Sequence, residues 1–359
     1  MRRRLISTSA CAALLLLFCG AEAAPQQEQV QAAVAESARN FHFETFFYQV
    51  NSGRANEYTA PVGVNDEGVI IGNIYRQFAG GCPQLADCGT EGFIYENRQF
   101  RLLTGPLYNG HFTRPIAINN RGQILLVQEN RAALLNHHDQ YFIYDVKGKS
   151  FRPMGALVQV AGSPAPIWMV QITGFNDRGQ IVGFYRYKGK LWGAYGQPIL
   201  GEAGSTVAPM EGAALTPIEC PEGRSTRALG LNNRGQITGS CEGGNRSPTR
   251  RGFLFEKGTM TLFDVPGAML TRGNAINDAG VIVGEYTLKP LHPGNWPVMA
   301  FAYDGAKFVQ VDVHGAPNGL VSQATGINNR GQIAGMDGDG NQGFLATPAS
   351  ANPLRRSER

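Results

Sequence analysis

The side chains best suited to gripping a ligand fall in a few places along this 359-residue chain. Its three tryptophans are Trp168, Trp192 and Trp296, with Arg186, Tyr187, Lys188, Lys190, His292 and Asn295 near them. Flat aromatic faces flanked by polar groups suit a sugar ring or a peptide. The competing role for each tryptophan is to pin a long loop by local packing. Asp337, Asp339 and Asn341, in Met-Asp-Gly-Asp-Gly-Asn-Gln-Gly, alternate oxygen ligands like the opening of a calcium loop. The later acidic ligand is missing, and a solvated Gly-rich turn explains the run more simply. His42, His111, His137, His138 and His314 read as ordinary surface residues. No Gly-x-Ser-x-Gly, His-Glu-x-x-His or phosphate-binding loop occurs. No catalytic residue is therefore assigned and, calcium apart, no cofactor is implied.

The start of the chain places these residues in a compartment. Residues 1–24 read as a secretory signal peptide: Arg2, Arg3 and Arg4, then an apolar Ala10–Gly20, then Ala21-Glu22-Ala23. The apolar run is too short for a permanent membrane span. Cleavage would remove Cys11 and Cys19 and leave Cys82, Cys88, Cys220 and Cys241. In an exported chain these suggest disulfides, with Cys82–Cys88 and Cys220–Cys241 favoured because each pair stays local. Free thiols or a metal site are the alternatives, although the spacing matches no zinc pattern. The formal charge of +4 falls near +2 once three arginines and Glu22 are removed. Nucleic-acid partners call for a more basic surface. A monomer without membrane span is expected. Residues 25–40 read as a flexible lead-in, 41–347 as one domain, and 348–359 as a disordered tail.

The elements that position the candidate residues follow from one recurring phrase. Gly326-Ile-Asn-Asn-Arg-Gly-Gln-Ile-Ala-Gly335 has near-copies beginning at Gly63, Ala117, Gly174, Gly230 and Ala275. Asn65, Asn119, Asn176, Asn232, Asn277 and Asn328 each stand three residues before a glycine, the chemistry of a tight turn. An isoleucine lies two residues past that glycine in every copy, and another glycine two further on except at Leu126. Steps of two are strand periodicity. Short aromatic strands follow, such as Gly92-Phe-Ile-Tyr95 and Gly252-Phe-Leu-Phe255. The spacing gives four strands per unit, the size of a propeller blade. We expect an all-β, six-bladed β-propeller, with seven blades if residues 25–60 hold a degenerate unit. Phe43–Val50 is expected to supply the missing outer strand of the last blade and so close the ring.

The phrase small–apolar–Asn–Asp/Asn–x–Gly–Gln–Ile/Val–x–Gly, followed by a Gly/Ala-Phe-aromatic strand, resembles the bacterial extracellular HAF repeat family. The copy at Phe175–Tyr185 carries the resemblance best, and the likeness spans about residues 60–346. The family's His-Ala-Phe is replaced here by Gly-Phe or Ala-Phe. The resemblance implies secretion and a propeller-like fold, and it supplies no catalytic residues. The Asn turns are constant, so function is expected in the variable loops on the opposite face, where Trp168 falls in the crossover before Ile172, and Trp192 and Trp296 fall in the loops between the second and third strands of units three and five. The expected role is noncatalytic recognition of a glycan or protein through those loops. The alternative is a polysaccharide hydrolase or lyase using the same loops.

Overall fold

The computed structural model describes residues 40–48, 55–78, 90–106, 111–130, 140–161, 163–209, 211–221, 224–243, 249–288, 297–311, 322–338 and 341–349. The fold is an all-β propeller. In chain order the strands are β1 (Phe41–Phe46), β2 (Ala55–Val64), β3 (Ile70–Phe78), β4 (Thr90–Glu96), β5 (Gln99–Leu102), β6 (His111–Ile118), β7 (Gln123–Asn130), β8 (Gln140–Asp145) and β9 (Ser150–Met154). They continue as β10 (Leu157–Val158), β11 (Ile167–Phe175), β12 (Ile181–Tyr187), β13 (Lys190–Gly196), β14 (Thr216–Ile218), β15 (Ser225–Leu231), β16 (Ile237–Glu242), β17 (Arg250–Glu256) and β18 (Thr259–Phe263). The last are β19 (Leu270–Ile276), β20 (Ile282–Thr287), β21 (Val298–Tyr303), β22 (Phe308–Gln310), β23 (Ser322–Ile327), β24 (Ile333–Asp337) and β25 (Gln342–Pro348).

The hydrogen-bonded sheets are β2–β5, β6–β9, β10–β14, β15–β22 and β1-β25-β24-β23. The long sheet is two runs, β15–β18 and β19–β22, joined by one parallel pair, Arg250 with Leu270. Strands β2, β6, β11, β15, β19 and β23 lead into the six Asn turns, and each contacts the next around the axis, β23 returning to β2.

The Asn turn explains itself atom by atom. In the fourth copy Asn232 Oδ1 accepts the amides of Arg234 (3.0 Å) and Gln236 (2.9 Å). Its Nδ2 donates to Gln236 Oε1 (2.7 Å) and to the carbonyl of Asn277 in the next copy (2.8 Å). Gly235 completes the turn at φ +78°, in the left-handed region where only glycine is unstrained. Asn119, Asn176, Asn277 and Asn328 likewise donate to the following copy, Asn328 reaching back to Asn65. Six turns are thereby welded to one another, and all six asparagines are buried.

The remaining repeated positions are packing constraints. A Cβ on Gly326 would lie 2.7 Å from the Cα of Gly63, and one on Gly230 would lie 2.8 Å from the Cα of Ala275. Small residues before the apolar–Asn pair therefore let inner strands approach one another. The later glycine serves a second contact: a Cβ on Gly239 or Gly284 would stand 1.9 Å from the carbonyl oxygen of Arg227 or Arg272. It would also press on Phe253 or Phe301, the aromatic of the third strand that covers each glycine. Every interface between consecutive units holds one apolar cluster, from Ile71, Ile94, Ile124 and Phe142 to Val283, Ala300, Ile333 and Phe344. Burying such a phenylalanine contributes about 2–3 kcal/mol.

The ends of the chain meet. Strand β1 pairs antiparallel with β25, Phe41 opposite Pro348 and Phe46 opposite Gly343. The strand covers 41–46 and ends before Phe47 and Tyr48 of the expected 43–50, because both its end rings are anchored; Gln49 and Val50 lie outside the described residues. Phe41 is buried in the cluster containing Phe344, and Phe46 stacks on Tyr95 at 4.4 Å in the next interface.

The third unit departs from expectation. Its second and third strands join through the two-residue turn at Lys188 and Gly189, so no long loop lies there. Its length is instead between β13 and β14, at the motif end. That segment lies along the outer edge of β9, where Gly201 donates to Pro153 (2.8 Å) and Gly204 to Phe151 (2.8 Å). It covers backbone that would otherwise be an open sheet edge.

Candidate functional site

The inner strands enclose a channel, and its two levels carry opposite chemistry. At the motif end a cavity of about 70 Å³, room for a few waters, is lined by the residue after each motif asparagine. These alternate around the axis as Asp66, Asn120, Asp177, Asn233, Asp278 and Asn329. Each backbone amide donates to the Oδ1 of the next, and Asn329 closes on Asp66 at 2.7 Å. Asn233 Nδ2 bridges Asp177 Oδ2 (2.7 Å) and Asp278 Oδ2 (2.9 Å), while Asn329 bridges Asp66 (3.0 Å) and Asp278 (3.1 Å). Six aspartates here would repel one another; alternation places amide donors between carboxylates. The acceptors are used within the ring, so this mouth works as a clasp. Sequence reasoning missed it, although the Asp/Asn alternation at one motif position was in plain view.

The other end of the third unit gathers the aromatic candidates. Trp168, Tyr187 and Trp192 are half-buried and pack on one cluster containing Met169 and Tyr185. Trp168 lies in β11 and Trp192 in β13, not in the loops where the sequence reading placed them, because pairing with Leu157 and Tyr185 draws both into strands. Lys190 Nζ sits 4.1 Å from the Trp192 ring centre and forms an ion pair with Glu219. Lys188 Nζ lies 5.1 Å from the Tyr187 ring, and Arg186 is exposed. The Trp192 indole N–H is buried without an acceptor among the described residues. Val170, 49% exposed, adds an apolar surface two residues from Trp168. Burial, reinforced by Tyr187 and Glu219, holds the Tyr185 hydroxyl above its ordinary pKa.

Other expected residues are dispersed. Trp296, His292 and Asp339 lie outside the described residues, as do Cys82 and Cys88. Asp337 is buried at the end of β24 rather than in a loop, because it pairs with Gln342 across the hairpin. Asn341 adopts φ +53° in that hairpin, and its carbonyl accepts from Thr59 (3.0 Å). Among the described residues no three His, Cys, Asp or Glu side chains are grouped to hold a metal, and no helix is long and apolar enough to cross a membrane. Cys220 and Cys241 form a disulfide.

No protein-family model matches the sequence, and no curated protein matches it. Several solved structures are similar in shape. The beta-propeller domain of the Trilobed protease from Pyrococcus furiosus, of open velcro topology, matches with TM-score 0.41 and 13% identity over 80% of this chain and 79% of that one. A protein of unknown function from Dyadobacter fermentans matches with TM-score 0.49 and 10% identity over 87% and 99%. An ulvan lyase, of polysaccharide lyase family PL25, bound to a glucuronate–sulfated rhamnose saccharide matches with TM-score 0.37 and 12% identity over 81% and 80%. These likenesses assign neither a family nor an activity.

Proposed function

We propose that this chain is an exported six-bladed propeller that binds a glycan without transforming it, at the end of the third unit away from the Asn ring. The observation that carries the reading is the convergence of Trp168, Tyr187 and Trp192 with Lys188 and Lys190 at one blade end. Half-buried rings offer flat apolar faces held in place by the core beneath. The cations offer directional donors for hydroxyl or acidic groups. Six blades are supported by the hydrogen-bond ring of six turns and by four strands per motif unit. Export is supported by the Cys220–Cys241 disulfide, since such bonds persist in oxidising compartments. The test is a glycan array probed with the chain from residue 25 onward, wild type against Tyr187→Ala/Lys188→Ala. Glycans bound by the wild type and lost by the variant support the reading. Identical array profiles would sink it, and binding only to a protein would move the assignment to a different partner class.

A further inference from the structure

Five residues before each motif asparagine, the inner strands place Ala60, Arg114, Gln171, Arg227, Arg272 and Gln323 at one level of the channel. All six are partly or fully exposed, while their strand neighbours Thr59, Thr113, Ile172, Ala228, Thr271 and Ala324 are buried. The alternation sets these side chains on the more open face of the inner strands, which border the axis, and the Arg227 guanidinium lies 5.1 Å from the Phe184 ring of the preceding unit. Five residues of strand put this level roughly 16 Å from the acidic mouth. It holds three guanidiniums, two amides and no carboxylate.

Around Arg227 and Arg272 the charges do not balance. Arg227 and Arg250 share one carboxylate, Glu242, at 2.8 and 3.3 Å, and Arg272 faces Glu285 at 3.4 Å. Three cations thus meet two anions. The arginine Nε atoms of Arg227 and Arg250 lie near Glu242 without hydrogen-bond geometry, and Glu285 Oε2 also lacks a donor among the described residues. The carboxylates are the more deeply set, with side chains 20% and 12% exposed against 37%, 31% and 32% for the arginines. The guanidiniums are therefore more open to solvent than their counter-charges. Arg272 is held below its ordinary pKa chiefly by burial, with Arg250 and Arg227 adding repulsion against the opposing pull of Glu285 and Glu242. A confined excess of positive charge is costly unless an anion joins it.

We propose that the channel binds an oxyanion, a carboxylate or sulfate group, between Arg227 and Arg272, with Gln171 and Gln323 as further donors. Guanidinium forks match such planar or tetrahedral oxygens in two-point contacts. This inference is independent of what the third-unit patch recognises. The test is calorimetric and thermal titration with sodium sulfate, and with sodium acetate as the carboxylate probe, against sodium chloride at equal ionic strength. Wild type should show saturable binding and a saturable rise in Tm beyond chloride. Arg227→Gln should weaken that binding roughly tenfold. The charge-balanced double variant Arg272→Gln/Glu285→Gln should do the same and guards against a buried carboxylate left alone. Arg178→Gln, at the motif end, should bind as wild type does. Non-saturable stabilisation, or saturable binding unchanged in both channel variants, would overturn the proposal.

Discussion

Replacing Asn232 with alanine should cost far more stability than replacing Asn65, although the two hold the same place in the repeat. Asn232 makes four side-chain hydrogen bonds, at 2.7, 2.8, 3.0 and 2.9 Å, all in a buried setting. At about 0.5–1.5 kcal/mol net for each, Asn232→Ala loses roughly 2–6 kcal/mol, and the high end applies where the freed partners stay dry. Among the described residues Asn65 makes two, from the amides of Glu67 (3.1 Å) and Val69 (2.9 Å), and its Nδ2 is buried without a partner. Asn65→Ala therefore loses roughly 1–3 kcal/mol, and removing an unsatisfied donor offsets part of that. The gap, two hydrogen bonds' worth, should be about 1–3 kcal/mol. Urea denaturation monitored by tryptophan fluorescence reads it as a shift in midpoint at constant slope. Equal costs at the two positions would refute the claim that the asparagine acts by welding each turn to the next.

Deleting residues 40–46 strips β1 from β25, opens a sheet edge and should abolish cooperative unfolding; Phe41→Ala, which empties a fully buried ring position, should cost about 3–4 kcal/mol in the same assay. Reducing the Cys220–Cys241 bond, which closes a loop of sequence separation 21, should lower stability by about 3 kcal/mol, read from urea curves with and without dithiothreitol. Gly284→Ala drives a Cβ to 1.9 Å from the Arg272 carbonyl and should cost about 3 kcal/mol, whereas Gly235→Ala, at φ +78° in open space, should cost about 1 kcal/mol; thermal melts of the two variants rank them.

The repeat itself announced the fold. Asn and Gly at fixed spacing mark a turn, steps of two mark strands, and the small residue before each turn marks a crowded axis; Gly326 touching Gly63 bears that out. The outer strand β1 was also legible, since a lone aromatic strand at the start matched a vacancy at the end. What failed was loop length in the third unit. Gln197 to Leu215 lacks regular strand, and nothing local says whether such a segment precedes or follows the third strand. The answer lies in a long-range edge contact with Phe151 and Pro153. The channel levels were hidden for a different reason. Arg227 and Arg272 lie 45 residues apart in the chain, the separation of their own motif asparagines, and become neighbours only when inner strands are set side by side. Reading each repeat for its constant positions obscures this, because the informative residues there are the ones that vary.

The division of labour between the two ends of the propeller is tested most directly by isothermal titration of the strongest array glycan against three proteins. These are the wild type, Trp168→Ala/Tyr187→Ala at the third-unit patch, and Arg178→Ala/Arg234→Ala at the rim of the Asn ring, each checked for an unchanged melting profile. The account predicts at least a tenfold loss of affinity in the patch variant, wild-type affinity in the rim variant, and a glycan recovered at its original mass. Loss of binding only in the rim variant, or a glycan recovered shortened, would contradict it.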